Sequence, residues 1–135
     1  MEKVLKAGCI LLDIERKKIA LVYRENLDDY SFPKGHLENN ETLVQCALRE
    51  TAEETKRDSV LLDKKPVCII SYMTNEGRAE VYYYLSRDIG KSNNDSLDTH
   101  PVVWVSSEEV YDKLSYDNLK ELWLKVKDRV DEYFK

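Results

Sequence analysis

The sequence predicts an α/β fold, a mixed β-sheet covered by helices, on three observations. β-branched and apolar runs crowd the start and the middle of the chain, one helical periodicity separates them, and an amphipathic stripe closes the chain. At 135 residues there is room for one compact domain, residues 1–135, built on a single sizeable core. The hydrophobic share of 42% and charged share of 35% are those of an ordinary globular protein. No apolar run approaches the roughly 20 residues that a membrane-spanning helix needs.

Taken in order, residues 4–14 and 19–23 read as strands joined by the charged turn Glu15, Arg16, Lys17, Lys18, which makes a hairpin. A polar loop at 25–30 follows. The segment Ser31, Phe32, Pro33, Lys34, Gly35 carries a proline and a glycine and is expected to be irregular and exposed. From Thr42 to Arg57, the residues Leu43, Val44, Ala47, Leu48 and Thr51 share one face at helical spacing. Thr42 and Gln45 have capping-box spacing, with Asn40 a competing N-cap. Residues 60–62, 67–74 and 79–85 read as strands, the last two joined by the turn Asn75, Glu76, Gly77, Arg78. After a polar loop at 92–96 come a strand at 100–105, a short helix, and a longer one near 116–134. In that last helix Leu119, Leu122, Trp123, Val126, Val130 and Phe134 form a stripe suited to packing.

Composition removes several function classes. Cys9, Cys46 and Cys68 are odd in number and form no C-x-x-C pair, so they indicate neither a disulfide framework nor a structural zinc site and read as small buried hydrophobes. A formal charge of -5 argues against general nucleic-acid binding, which draws on a basic surface. The start Met1, Glu2, Lys3, Val4 lacks the pattern of an export signal, so a cytoplasmic protein is expected.

The most informative stretch is Arg49, Glu50, Thr51, Ala52, Glu53, Glu54. At ~100° per residue the three glutamates span only about 100° of a helix surface and can converge on one space. Ionised together they repel, and a hard divalent cation with a preference for oxygen offsets that repulsion. An acidic protein that handles a polyanion also needs cations between the two.

Upstream, Gly35 is followed after five residues by Glu41, and seven more residues lead to Arg49 and Glu50. The string GHLENNETLVQCALRETAEE resembles the Nudix box, Gly-x5-Glu-x7-Arg-Glu-U-x-Glu-Glu-x-Gly-U with U a bulky apolar residue, and every charged position is filled. Thr51, Lys56 and Arg57 depart from the pattern. Where the family has a glycine that ends the helix in a left-handed turn, Lys56 predicts a longer helix or a different exit. The resemblance implies a Nudix-type α/β/α sandwich with a catalytic loop-helix element at 35–57. It implies that Glu50, Glu53 and Glu54 bind magnesium, or manganese in its place, with the backbone carbonyl of Gly35 as a further ligand. It also implies that Arg49 orients a glutamate and that Glu41 braces the loop. Glu53 is the expected base, with Glu80 and Asp98 as candidates for a distal acid outside the box.

Phe32, Pro33, Lys34, Gly35, His36 resemble the FPKGH segment of the asymmetric diadenosine tetraphosphate hydrolases, and of the diphosphoinositol polyphosphate phosphohydrolases. Lys34 and His36 are then expected near phosphate. In the run 81–85, Tyr82 and Tyr84 point one way and Tyr83 the other, so Tyr82 and Tyr84 are candidates to stack on an adenine. The expected activity is metal-dependent hydrolysis of a phosphoanhydride, first of a diadenosine tetraphosphate-type dinucleotide to ATP and AMP. House-cleaning of (d)NTPs and diphosphoinositol polyphosphate hydrolysis are alternatives. A non-catalytic nucleotide-binding module is the alternative from another class, disfavoured by the complete set of box glutamates. A small-molecule nucleotide is the expected partner, with no membrane, for a monomer or homodimer.

Overall fold

A computed structural model describes residues 3–135; Met1 and Glu2, part of the start read above for an export signal, lie outside the described residues. In chain order the elements are β1 (Lys3–Asp13), β2 (Lys18–Arg24), β3 (Asp29–Ser31), β4 (Lys34–His36), α1 (Leu43–Thr55), β5 (Arg57–Leu61), β6 (Cys68–Thr74), β7 (Gly77–Lys91), β8 (Val102–Val105), α2 (Val110–Lys113) and α3 (Asp117–Tyr133). The strands form one mixed sheet in the order β3-β2-β1-β7-β5, with β4 on β1, β6 on β7 and β8 on β2. Its spine is the parallel pair of β1 and β7, which runs from Lys3 opposite Arg78 to Leu12 opposite Arg87.

Strand alternation sorts the core into two layers. Ile10, Leu12, Val81, Tyr83 and Leu85 face α3, whose Leu119, Leu122, Trp123, Val126 and Val130 are all buried against them. Each such side chain contributes roughly 1.5–3 kcal/mol on burial. On the opposite face Ala7, Cys9 and Tyr84 pack under Cys46 and Ala47 of α1. The α/β/α arrangement expected from the sequence is therefore the one observed. Cys9 and Cys46 are buried, whereas Cys68 is only half-buried. Among the described residues no helix is long and apolar enough to cross a membrane.

Three local expectations are corrected. The segment 31–35 is neither irregular throughout nor exposed. Phe32 is fully buried between Tyr83 and Trp123, with ring centroids 5.9 and 6.5 Å away, and β4 pairs with β1. That pairing needs Gly8, since a Cβ there would stand 2.0 Å from the Pro33 carbonyl oxygen. The helix neither lengthens nor leaves differently at Lys56, because Lys56 itself takes the left-handed conformation, φ 59°, that glycine usually supplies. Its ammonium donates to the carbonyls of Asn94 and Ser96, contacts that hold the residue there. Finally, β7 runs six residues past Leu85, because β5 supplies a second antiparallel partner for its end.

Candidate functional site

The site begins at the N-terminus of α1. Thr42 caps the helix: its hydroxyl accepts from the Gln45 N–H at 3.1 Å while the Gln45 side chain accepts from the Thr42 N–H at 2.9 Å. Asn40, the competing cap, instead turns the chain at φ 64°. With the start fixed there, Arg49, Glu50, Glu53 and Glu54 emerge on the side of α1 that looks across to β4.

Arg49 is the hub of this surface. Its Nε and Nη2 donate to the two Glu41 oxygens at 2.6 and 3.0 Å, and its Nη1 donates to Glu50 at 3.0 Å and Glu53 at 3.2 Å. Nη2 also donates to the His36 carbonyl at 2.9 Å, and Glu38 stands 3.2 Å from Nε. The guanidinium bonds hold the Glu41 carboxyl below the usual carboxylate range, and Glu41 also accepts the Glu38 N–H at 3.1 Å. Loop 36–41 and α1 are thus tied at one arginine.

Glu50 and Glu54 are placed differently. The Glu50 carboxylate lies flat against Gly35, where a Cβ would come 2.0 to 2.2 Å from its carboxyl atoms, so only glycine leaves room for it. Burial pushes Glu50 up and pushes Glu54 up to about 7, although Glu54 accepts the Lys34 N–H at 3.2 Å. Two desolvated carboxylates side by side call for a cation. Among the described residues no three carboxylate, imidazole or thiol groups close into a full metal shell, and Arg49 stands between Glu50 and Glu53. The donor set of hard oxygens with unmet negative charge nevertheless fits a divalent cation such as magnesium. The Gly35 carbonyl, the further ligand inferred from the sequence, accepts from the Cys46 thiol at 3.5 Å.

These groups line a cleft of about 570 Å³. Its walls bring together Lys34, Gly35, His36, Arg49, Glu50, Glu53, Glu54 and Asp98, all singled out above. Asp98 is near enough to help push Glu50 up. Lys6, Arg24, Glu38 and Ser96 join them without having been foreseen. A second hollow of about 510 Å³ adjoins the first and shares Lys6, Arg24 and Lys34 with it. Its walls are mostly apolar: Ile70, Tyr72, Tyr83, Tyr116 and Leu119, with Asp117 and Asn118 at the start of α3. The Lys6 ammonium donates to the Tyr72 hydroxyl at 3.3 Å and lies 5.6 Å from the ring centre. Burial pushes the Lys34 ammonium down.

Three candidates fall away. Tyr84 is buried beneath α1 and Tyr82 packs against the same cluster, so neither reaches the cleft. Alternation correctly separated them from Tyr83, but α1 covers the face they share. Glu80 pairs with Lys3 at 3.6 Å and accepts from Tyr82 at 3.5 Å, away from the cleft. The aromatic rings beside the cleft are Tyr72 and Tyr116, with the fully buried Tyr83 behind them. A charge set between Leu5 and Ala7 in the apolar run of β1 was the sequence signal for Lys6; Arg24, Tyr72 and Tyr116 carried none.

A glutamate-lined helix on a mixed sheet, facing a row of cations, defines a class of protein that handles polyanions. The NUDIX domain pattern matches residues 2–125, and the chain belongs to the Nudix family, whose hydrolases act on phosphoanhydride bonds of nucleotides. Members of the family generally use divalent metal ions. Over 117 residues, 84% of its length, the chain is 34% identical to an 8-oxo-(d)GTP phosphatase of Mycolicibacterium smegmatis, and it spans 35% of that relative. The chain thus covers only about a third of the length of the curated relatives it matches. In fold it resembles a NUDIX hydrolase from Nitrosomonas europaea, with TM-score 0.77 and 18% identity over 95% of this chain and 90% of the other. It also resembles the C. elegans Ap4A hydrolase, with TM-score 0.76 and 21% identity over 96% and 98%.

Proposed function

We propose that residues 1–135 act as one cytoplasmic, magnesium-dependent pyrophosphohydrolase domain whose substrate is a purine nucleoside triphosphate. The observation that carries this reading is the row Lys6, Arg24, Lys34, which lines both the carboxylate cleft and the tyrosine-walled hollow. A phosphate chain laid along that row puts its nucleoside end against Tyr72 and Tyr116 and its anhydride bonds against α1. Asn118 and Asp117 then meet the polar edge of the base, while the rings hold its faces. The 34% identity to an 8-oxo-(d)GTP phosphatase supports a triphosphate over a dinucleotide.

In this mechanism Glu50, Glu53 and Glu54 would hold the cation, with the Gly35 carbonyl as a further ligand. When bound, the divalent ion neutralises phosphate oxygens and acidifies a water. Arg49 fixes the carboxylate of Glu53 through Nη1, and Glu53 takes the proton of the attacking water. Asp98, on the opposite rim, is the distal acid that remains near enough to share that task. Lys34 and Arg24 draw charge from the phosphates, and His36 stands at the mouth.

A dinucleotide tetraphosphate is the second reading, favoured by the segment Phe32 to His36. Anion-exchange product analysis with magnesium decides between them, on dGTP, 8-oxo-dGTP, ATP, diadenosine tetraphosphate, ADP-ribose and a diphosphoinositol phosphate. Nucleoside monophosphate and pyrophosphate released fastest from a purine triphosphate support the first reading. ATP with AMP released faster from the dinucleotide replaces it with the second. Binding of nucleotides without any cleavage would make the chain a non-catalytic module.

A further inference from the structure

Where the two hollows meet, one carboxylate holds two of the groups that the substrate would touch. Asp29 is almost fully buried, and both its oxygens are engaged. Arg24 donates to it in a fork, Nε to Oδ1 at 2.8 Å and Nη2 to Oδ2 at 2.7 Å, and the Tyr116 hydroxyl donates to Oδ2. The ring closes because Arg24 Nη2 also reaches the Tyr116 oxygen at 3.0 Å. Among the described residues Arg24 Nη1 has no protein partner, and Arg24 borders both hollows.

We infer that Asp29 is a positioning residue, which with the Tyr116 hydroxyl locks the phosphate-facing guanidinium of Arg24 in one orientation. The inference rests on the function proposed above and extends it to a residue outside the Nudix box that touches no substrate itself. Two features support it. First, the hairpin that carries Asp29 is pinned separately to the start of α3: the Tyr30 N–H donates to Ser115 Oγ at 2.8 Å and the Ser115 N–H to the Tyr30 carbonyl at 3.2 Å. The hairpin is therefore held without Asp29, so the buried carboxylate is not required merely to attach it. Second, a buried ion pair adds little net stability over an apolar replacement, whereas it removes rotamer freedom from an arginine that would otherwise lose it on binding. A guanidinium gripped through Nε and Nη2 presents Nη1 in one direction only.

The test is a double-mutant cycle on binding of the α,β-methylene analogue of dGTP with magnesium, which reads affinity without turnover. Asp29→Asn and Arg24→Met are each expected to weaken binding about tenfold, the loss typical of one hydrogen bond to a charged group. The double variant is expected to be no weaker than Arg24→Met alone, because Asp29 acts through Arg24. Tyr116→Phe keeps the ring, removes one bond to Asp29, and is expected to weaken binding about threefold in the wild type and not at all beside Arg24→Met. It replaces Asp29→Asn in the cycle if that variant does not fold. Losses that multiply to about a hundredfold, or a folded Asp29→Asn with full affinity, overturn the inference. Wild-type protein that binds no purine triphosphate analogue overturns the proposed substrate and this inference together. Tight wild-type binding with multiplying losses overturns this inference alone.

Discussion

The two hollows of the cleft are built in opposite ways. The carboxylate side takes most of its wall from one loop and one helix, in which residues 35–54 supply Gly35, His36, Glu38, Arg49, Glu50, Glu53 and Glu54. The tyrosine side is assembled from β1, β2, β6 and the start of α3, which lie as much as a hundred residues apart in the chain. A local motif can carry the reacting groups because helix geometry alone sets their spacing. A pocket that must fit one particular base has to be shaped by the whole sheet.

Variants on the two sides should therefore fail differently. The largest effect is expected from Glu53→Gln, which keeps shape and removes the proposed base and one proposed metal ligand: kcat should fall about 10³-fold with KM little changed, measured by product release at saturating substrate and magnesium. Gly35→Ala comes next. Its methyl would occupy the place of the Glu50 carboxylate, so a fall in kcat of about a hundredfold and a weaker apparent magnesium affinity are expected in magnesium titrations. On the other side, Tyr72→Ala should raise KM about tenfold for nucleotides while leaving kcat nearly intact. A tenfold fall in kcat with unchanged KM would show that the two sides are not separable.

The smallest effect sharpens the same contrast through pH. Burial raises the Glu54 pKa to about 7 from 4.5, so the folded state binds its proton more tightly than the unfolded state. The corresponding stability is full below pH 4.5 and is lost as pH rises through about 7. Metal-free protein should therefore melt a few degrees lower at pH 8 than at pH 5 on this account. Glu54→Gln should flatten that slope in part, since Glu50 is raised for the same reason. Thermal melts across this range in a chelator check it, and an unchanged slope in the variant would remove Glu54 as its source.

Legibility in the sequence followed the same division. The helix α1 was readable from Thr42 and Gln45 at one end and its apolar face in between, because caps and periodicity are local. The stripe of α3 was readable for the same reason. What escaped depended on partners. Phe32 looked exposed beside Pro33, yet Tyr83 and Trp123 close over it. Tyr82 and Tyr84 were sorted correctly by parity, but parity does not say which face a helix will cover. Tyr72, in a strand with no charged residue, gave no sign that it would border an opening.

Lys56 has a consequence for how the rim of the cleft is governed. Besides the grip of its ammonium on the carbonyls of Asn94 and Ser96, the last turn of α1 accepts Thr99 Oγ1 at Glu53 and the His100 N–H at Glu54, both at 3.0 Å. The crossing from β7 to β8 is thereby clasped to the same turn that bears two of the acidic residues. Asp98 lies between these fastenings, with Ser96 held on one side and Thr99 on the other. A glycine at position 56 would leave the turn intact and remove two of the four bonds of the clasp. In this chain the far bank of the cleft is therefore moored to the acidic helix at four points, two of them through one lysine.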